Sequence, residues 1–146
     1  AGSGEEEPVA PAKEPTLSSE EVERRAVDRT LAEEQALGRD PQEMDHWNEG
    51  FDIRSRAQDG DSVWIEVKGR IDGADDFHVT RSEILQGLNT QPRHRLALVR
   101  VSPDGPEHDE IRYLGEAFAN TSIDELEVTR VTFKWKTMWE KGQAPF

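Results

Sequence analysis

Asp52, Glu66 and Lys68 lie in "GFDIRSRAQDGDSVWIEVKGR", residues 50–70, where two apolar runs flank an Asp59-Gly60 turn. Such runs read as a β-hairpin, in which side chains alternate between faces. Val63, Ile65 and Val67 then share one face, and Trp64, Glu66 and Lys68 the other. Asp52, opposite to Phe51 and Ile53, can meet Glu66 and Lys68 across the hairpin. Adjacent carboxylates each disfavour ionisation of the other unless a cation intervenes. Oxygen ligands from Asp52 and Glu66, with the Val67 carbonyl between them, suit Mg²⁺ or Mn²⁺. Beside such an ion, the Lys68 ammonium can orient or help deprotonate a water and stabilise charge on a phosphate. The chemistry implied is metal-assisted hydrolysis of a phosphodiester. A cross-strand ion pair on a solvated sheet face is the structural alternative.

The flanking elements must position these groups. "LSSEEVERRAVDRTLAEEQALG" reads as a helix, capped by Ser18 with Glu21 and stopped at Gly38. Glu23 and Glu34, eleven residues apart, project at nearly one azimuth and border its weakly apolar face. Either, Glu23 before Glu34, can bring a further carboxylate. "FHVT" suits a short strand. "TRSEILQGLN" opens a helix with the box Thr80-x-x-Glu83, to which no further role is given. "HRLALVRVS" reads as a central strand, "PDGPEHDE" as a solvated loop, and "IRYL" and "LEVTRVTFKW" as further strands. "TMWEKGQAPF" is given one helical turn at most. The order is α-β-β-β-α-β with a C-terminal β appendage, an α/β class with a mixed central sheet.

Asp52, thirteen intervening residues, then Glu66-Val67-Lys68 on a hairpin after a helix resembles the PD-(D/E)XK nuclease superfamily. More narrowly, "NEGFDIRS…IEVKGR…FHVTRSEI…LALVRV" is similar to the C-terminal domain of NO VEIN-type proteins, often found behind helicase domains. The resemblance spans roughly residues 20–101 and implies a restriction-endonuclease-like core. It implies Asp52 and Glu66 as metal ligands, Lys68 as the catalytic lysine and Glu23 as the helix-borne glutamate of resolvase-like members. Phe51 stands where the superfamily commonly has proline. The activity implied is Mg²⁺- or Mn²⁺-dependent DNA cleavage by a module of a larger DNA-processing or defence protein, with a helicase upstream. RNA or branched substrates would use the same residues.

The net charge of −13 runs against nucleic-acid binding, but it is uneven: −5 over residues 1–21, −4 over 22–101, −7 over 102–127 and +3 over 128–146. It favours a competing reading, a nuclease-fold module that binds DNA or docks partners without cutting. Arg54, Arg56, Arg70 and Arg81 are the expected phosphate contacts, with Arg93, His94 and Arg95 a second basic cluster. Trp64 either walls the site or packs under the first helix, and Trp135 and Trp139 cover a sheet edge or dock a neighbouring domain. The four histidines lack zinc spacing, and no cysteine is present. Residues 1–17 are expected to be a tag remnant and linker, 18–101 a domain core and 102–146 its extension. With no membrane-length apolar run and no export signal, the expected location is cytoplasmic.

Overall fold

The computed structural model describes residues 17–48, 50–123 and 127–146. The expected linker lies outside these residues except for Leu17, which packs against the core. Helix α1 (Ser19–Ala36) begins at the capping box, with Ser18 Oγ accepting from the Glu21 amide at 3.1 Å. Its Val22, Ala26 and Val27 bury against the main sheet. That sheet contains β1 (Asp40–Glu43), β2 (Ile53–Arg56), β3 (Ser62–Ile71), β5 (His94–Val101) and β6 (Glu110–Gly115), in spatial order β1-β2-β3-β5-β6. Only β3 and β5 run parallel, so the sheet is mixed as expected.

The other face is covered by helix α2 (Arg81–Asn89), a two-stranded ribbon of β4 (Asp76–Thr80) with β7 (Arg130–Lys134), and helix α3 (Trp135–Lys141). The apolar residues divide into two clusters, one on each face. Val63, Ile65, Val67 and Val99 meet α1, while Leu96, Leu98 and Leu114 meet Phe77, Ile84, Phe118 and Trp139. No helix among the described residues is long and apolar enough to cross a membrane.

Several details differ from the sequence reading. Strand β1 was not expected, because "DPQE" has poor strand propensity; it forms by pairing with the edge of β2. The expected third strand, β4, pairs with β7 rather than with the main sheet. Helix α3 is seven residues, nearly two turns, because Trp135 and Trp139 stack at a 5.6 Å centroid separation and bury together. These tryptophans are core, not an exposed dock. The loop after β5 contains a 3₁₀ turn and is anchored by buried Asp109, which accepts from the Ser102 amide at 2.8 Å and pairs with Arg25.

Gly69 sets the distance between α1 and β3. A Cβ there would lie 2.4 Å from the Ala26 Cβ, far inside van der Waals contact. Gly69→Ala is expected to destabilise by about 1–3 kcal/mol through overpacking. Adding Ala26→Gly should recover part of the loss in a urea titration; no recovery would place the effect elsewhere.

Candidate active site

The site lies where the sheet opens. Strand β2 starts at Ile53, opposite Ile65, so β3 from Glu66 onward has lost this neighbour. An amide left unpaired there needs another acceptor. Asp52 supplies it: Oδ2 accepts from the Val67 amide at 2.8 Å, while the Asp52 amide donates to the Ile65 carbonyl at 2.8 Å. The same gap that ends the ladder therefore fixes the first carboxylate.

Glu66 follows on β3, only 2% exposed. Its Oε2 is 3.2 Å from Lys68 Nζ, and its Oε1 is buried with no hydrogen-bond partner. Lys68 reaches a second carboxylate, Glu83 Oε1, at 3.0 Å. Glu83 belongs to α2, and the same oxygen accepts from the Thr80 amide at 2.8 Å. The capping box expected of Thr80 and Glu83 is present, but Glu83 does more than cap. The sequence signal for this second role was hidden, because the box accounted fully for a glutamate at that position.

Two carboxyls thus hold one ammonium, and the Asp52 charge acts on it from nearby. Burial, reinforced by the Asp52 charge, pushes Glu66 well above the usual carboxyl range. Asp52 is also raised by burial, against the opposing Val67 amide and Lys68. Burial acts to raise Glu83 as well, but contacts with Glu66 and Lys68 outweigh it and hold Glu83 low. Burial alone would lower Lys68, yet Glu66 and Glu83 hold it above its ordinary value. Both carboxyls thus favour the charged form of Lys68, which donates to Glu83 and lies against Glu66.

Glu23 is exposed on α1 and rims two clefts, one with Asp52 and one with Val67 and Lys68. Glu34 is excluded from the site. It is fully buried, bonded by Arg39 at 2.6 and 2.9 Å and by the Tyr113 hydroxyl at 2.7 Å. Among the expected phosphate contacts, Arg54 stacks over Trp64 and Arg56 shares an outer cleft with Asp40 and Gln42. Arg70 lies 4.0 Å from Asp76, and Arg81 donates to the Val128 carbonyl. Trp64 meets Phe51 edge-on at 4.8 Å, on the face away from α1 rather than beneath it. The second basic cluster does not form: Arg93 pairs with Asp59 and Asp61, and His94 is buried.

The donor set fits a hard divalent ion: two neighbouring carboxylates, one with an orphaned oxygen. No cluster of three or more Asp, Glu, His or Cys placed to hold a metal occurs among the described residues, so any further ligands would come from backbone or water.

The profile of the family described as "Protein NO VEIN, C-terminal" matches residues 22–114, more than half of the chain. The chain belongs to the NO VEIN C-terminal family. The matched span carries Glu23, Asp52, Glu66, Lys68 and Glu83, and ends before β7 and α3. Comparison with curated proteins gives no match. Among solved structures, the chain is similar to Hjc, a Holliday junction resolvase from the archaeal hyperthermophile Archaeoglobus fulgidus. The TM-score is 0.52 at 14% identity, covering 83% of this chain and 89% of the resolvase. This NO VEIN C-terminal domain thus has the restriction-endonuclease-like PD-(D/E)XK fold.

Proposed function

We propose that this domain is a divalent-metal-dependent DNA endonuclease, acting as the C-terminal module of a larger DNA-processing or defence protein with a helicase as its neighbour. The observation that carries the reading is the gap beside β3, where Asp52 and Glu66 converge with Lys68 and Glu66 Oε1 has no partner. Asp52 and Glu66, with the Val67 carbonyl, would hold Mg²⁺ or Mn²⁺. When bound, such an ion polarises phosphoryl oxygens and lowers the pKa of water. Asp52 is pre-oriented for this by the Val67 amide. Lys68, held cationic, donates to a phosphate oxygen and stabilises the charge that develops there. Glu83 keeps the ammonium in place, and Glu23 stands at the rim to orient water.

Cleavage of plasmid and single-stranded DNA with Mg²⁺ or Mn²⁺ tests this. Metal-dependent cutting that disappears in both Glu66→Ala and Lys68→Ala is expected; cutting that survives them refutes the site. A second reading, a non-cutting docking or DNA-binding module, is favoured by the acidic surface and by the double ion pair that holds Lys68. Absence of both cleavage and metal uptake in the parent protein would select it.

A further inference from the structure

Most arginines of the α1 layer and main sheet are held by carboxylates. Arg24 pairs with Asp28 and Glu43, Arg29 with Glu33, Arg39 with Glu34, and Arg100 with Glu110. Arg54 is held instead by the Ser62 hydroxyl and Trp64, Arg95 by Phe146 and Arg112 by Trp139. In the C-terminal elements, Arg130, Lys134 and Lys141 make no ion pair among the described residues, a condition that Arg56 on β2 shares. Burial alternates along β7, with Arg130, Thr132 and Lys134 exposed and Val131 and Phe133 partly covered. The three polar side chains therefore share the outward face of the ribbon.

This row begins at the candidate site. Arg130 pairs in register with Thr80, the N-cap whose box places Glu83 on Lys68. Four pairs further along, Lys134 lies opposite Asp76, the residue that Arg70 approaches. Lys134 and Lys141 then line one cleft of about 510 Å³ together with Thr132 and Thr137, where, among the described residues, Glu116 is the one carboxylate against the two lysines. The approach past α1 is acidic on balance: the cleft containing Asp52 is lined by Glu20, Glu23, Glu43 and Asp45, with Arg24 the one arginine there among the described residues and paired to Glu43. A polyanion is repelled on the α1 side and attracted on the ribbon side.

We propose that the outward face of the β4–β7 ribbon, continued by Lys141 on α3, is the surface that grips the sugar-phosphate backbone of a nucleic acid leading into the site. This rests on the nuclease reading for its substrate class, and it moves the main phosphate contacts from Arg54 and Arg56 to Arg130, Lys134 and Lys141.

The test is fluorescence anisotropy of fluorescein-labelled single-stranded and duplex DNA across a salt series, in chelator so that nothing is cut. Arg130→Gln/Lys134→Gln/Lys141→Gln is compared with Arg54→Gln/Arg56→Gln and the parent. All five positions are exposed, so folding is preserved. The triple variant is expected to lose about tenfold or more in affinity, with a log–log salt slope shallower by roughly two to three, at about 0.9 per phosphate contact. The Arg54/Arg56 variant should bind as the parent does. A triple variant that binds normally, a control that loses as much, or a parent that binds neither probe overturns the proposal. Cleavage is scored separately with metal, so a parent that binds but never cuts sinks the nuclease reading and leaves the surface standing.

Discussion

Glu66→Gln should reduce metal-dependent cleavage by about a thousandfold or more and, in chelator, make the protein more stable than the parent. The first effect follows from losing a charged ligand whose ion supplies several kcal/mol of transition-state stabilisation, each 1.36 kcal/mol being tenfold in rate. The second follows from burial. Glu66 is 2% exposed, its Oε1 has no partner, and Asp52 and Glu83 crowd it with like charge. An amide removes the charge and offers donors to those carboxylates, a gain on the order of 1–2 kcal/mol. The folded-state pKa of Glu66 lies above its unfolded value, so its ionisation opposes folding increasingly as pH rises above the ordinary carboxyl range. The stability advantage of Gln should grow with pH accordingly. Urea titrations in chelator would decide the matter; a variant less stable than the parent at neutral pH would mean that Glu66 is structurally satisfied rather than held in readiness.

Acidification should cost the parent protein about 2–3 kcal/mol between pH 7 and pH 4.5 through one residue, His94. The ring is 1% exposed beneath α2, beside Phe118, and neither nitrogen has a partner. Burial, helped by the charge of Arg95, pushes its pKa down to about 4. The unfolded chain takes up the proton near pH 6.5, whereas the folded chain resists it until about 4. Stability from this group is therefore complete above the unfolded value and drains as pH falls towards the folded one. His94→Leu should flatten that part of the profile. Carboxylates such as Glu34, whose salt bridge and hydrogen bonds hold it below its usual value against burial, add a further acid-side loss in both proteins. The difference between parent and variant isolates the histidine; equal slopes would show that the ring is hydrated or paired.

The parts of this fold that were legible in the sequence are those specified by local chemistry. Ser18 with Glu21 starts α1, Asp59-Gly60 turns the hairpin with Gly60 at φ 92°, and the strand period brings Glu66 and Lys68 to one face. The turn fixes the register of β2 on β3, which leaves Asp52 one residue beyond the paired stretch and bonded to the Val67 amide. What escaped were relations between distant segments. Nothing in "FHVT" distinguishes a strand of the main sheet from one that pairs with β7, since pairing partners lie some fifty residues apart. His94 sits between two arginines and reads as basic, but strand alternation turns it inward beneath Gly87 while its neighbours point out. Glu83 escaped because one oxygen has two tasks, only one of which is local.

That shared oxygen links backbone order to side-chain chemistry. Glu83 Oε1 closes the first turn of α2 through the Thr80 amide and anchors Lys68 at the same time. Fraying of this turn therefore takes from the lysine one of its two carboxyl partners and leaves it to Glu66, while whatever draws the ammonium away leaves the oxygen free to serve the amide alone. The opening rate of a short surface helix becomes a clock for the centre, readable from the exchange of one amide proton at a distance from any reacting atom.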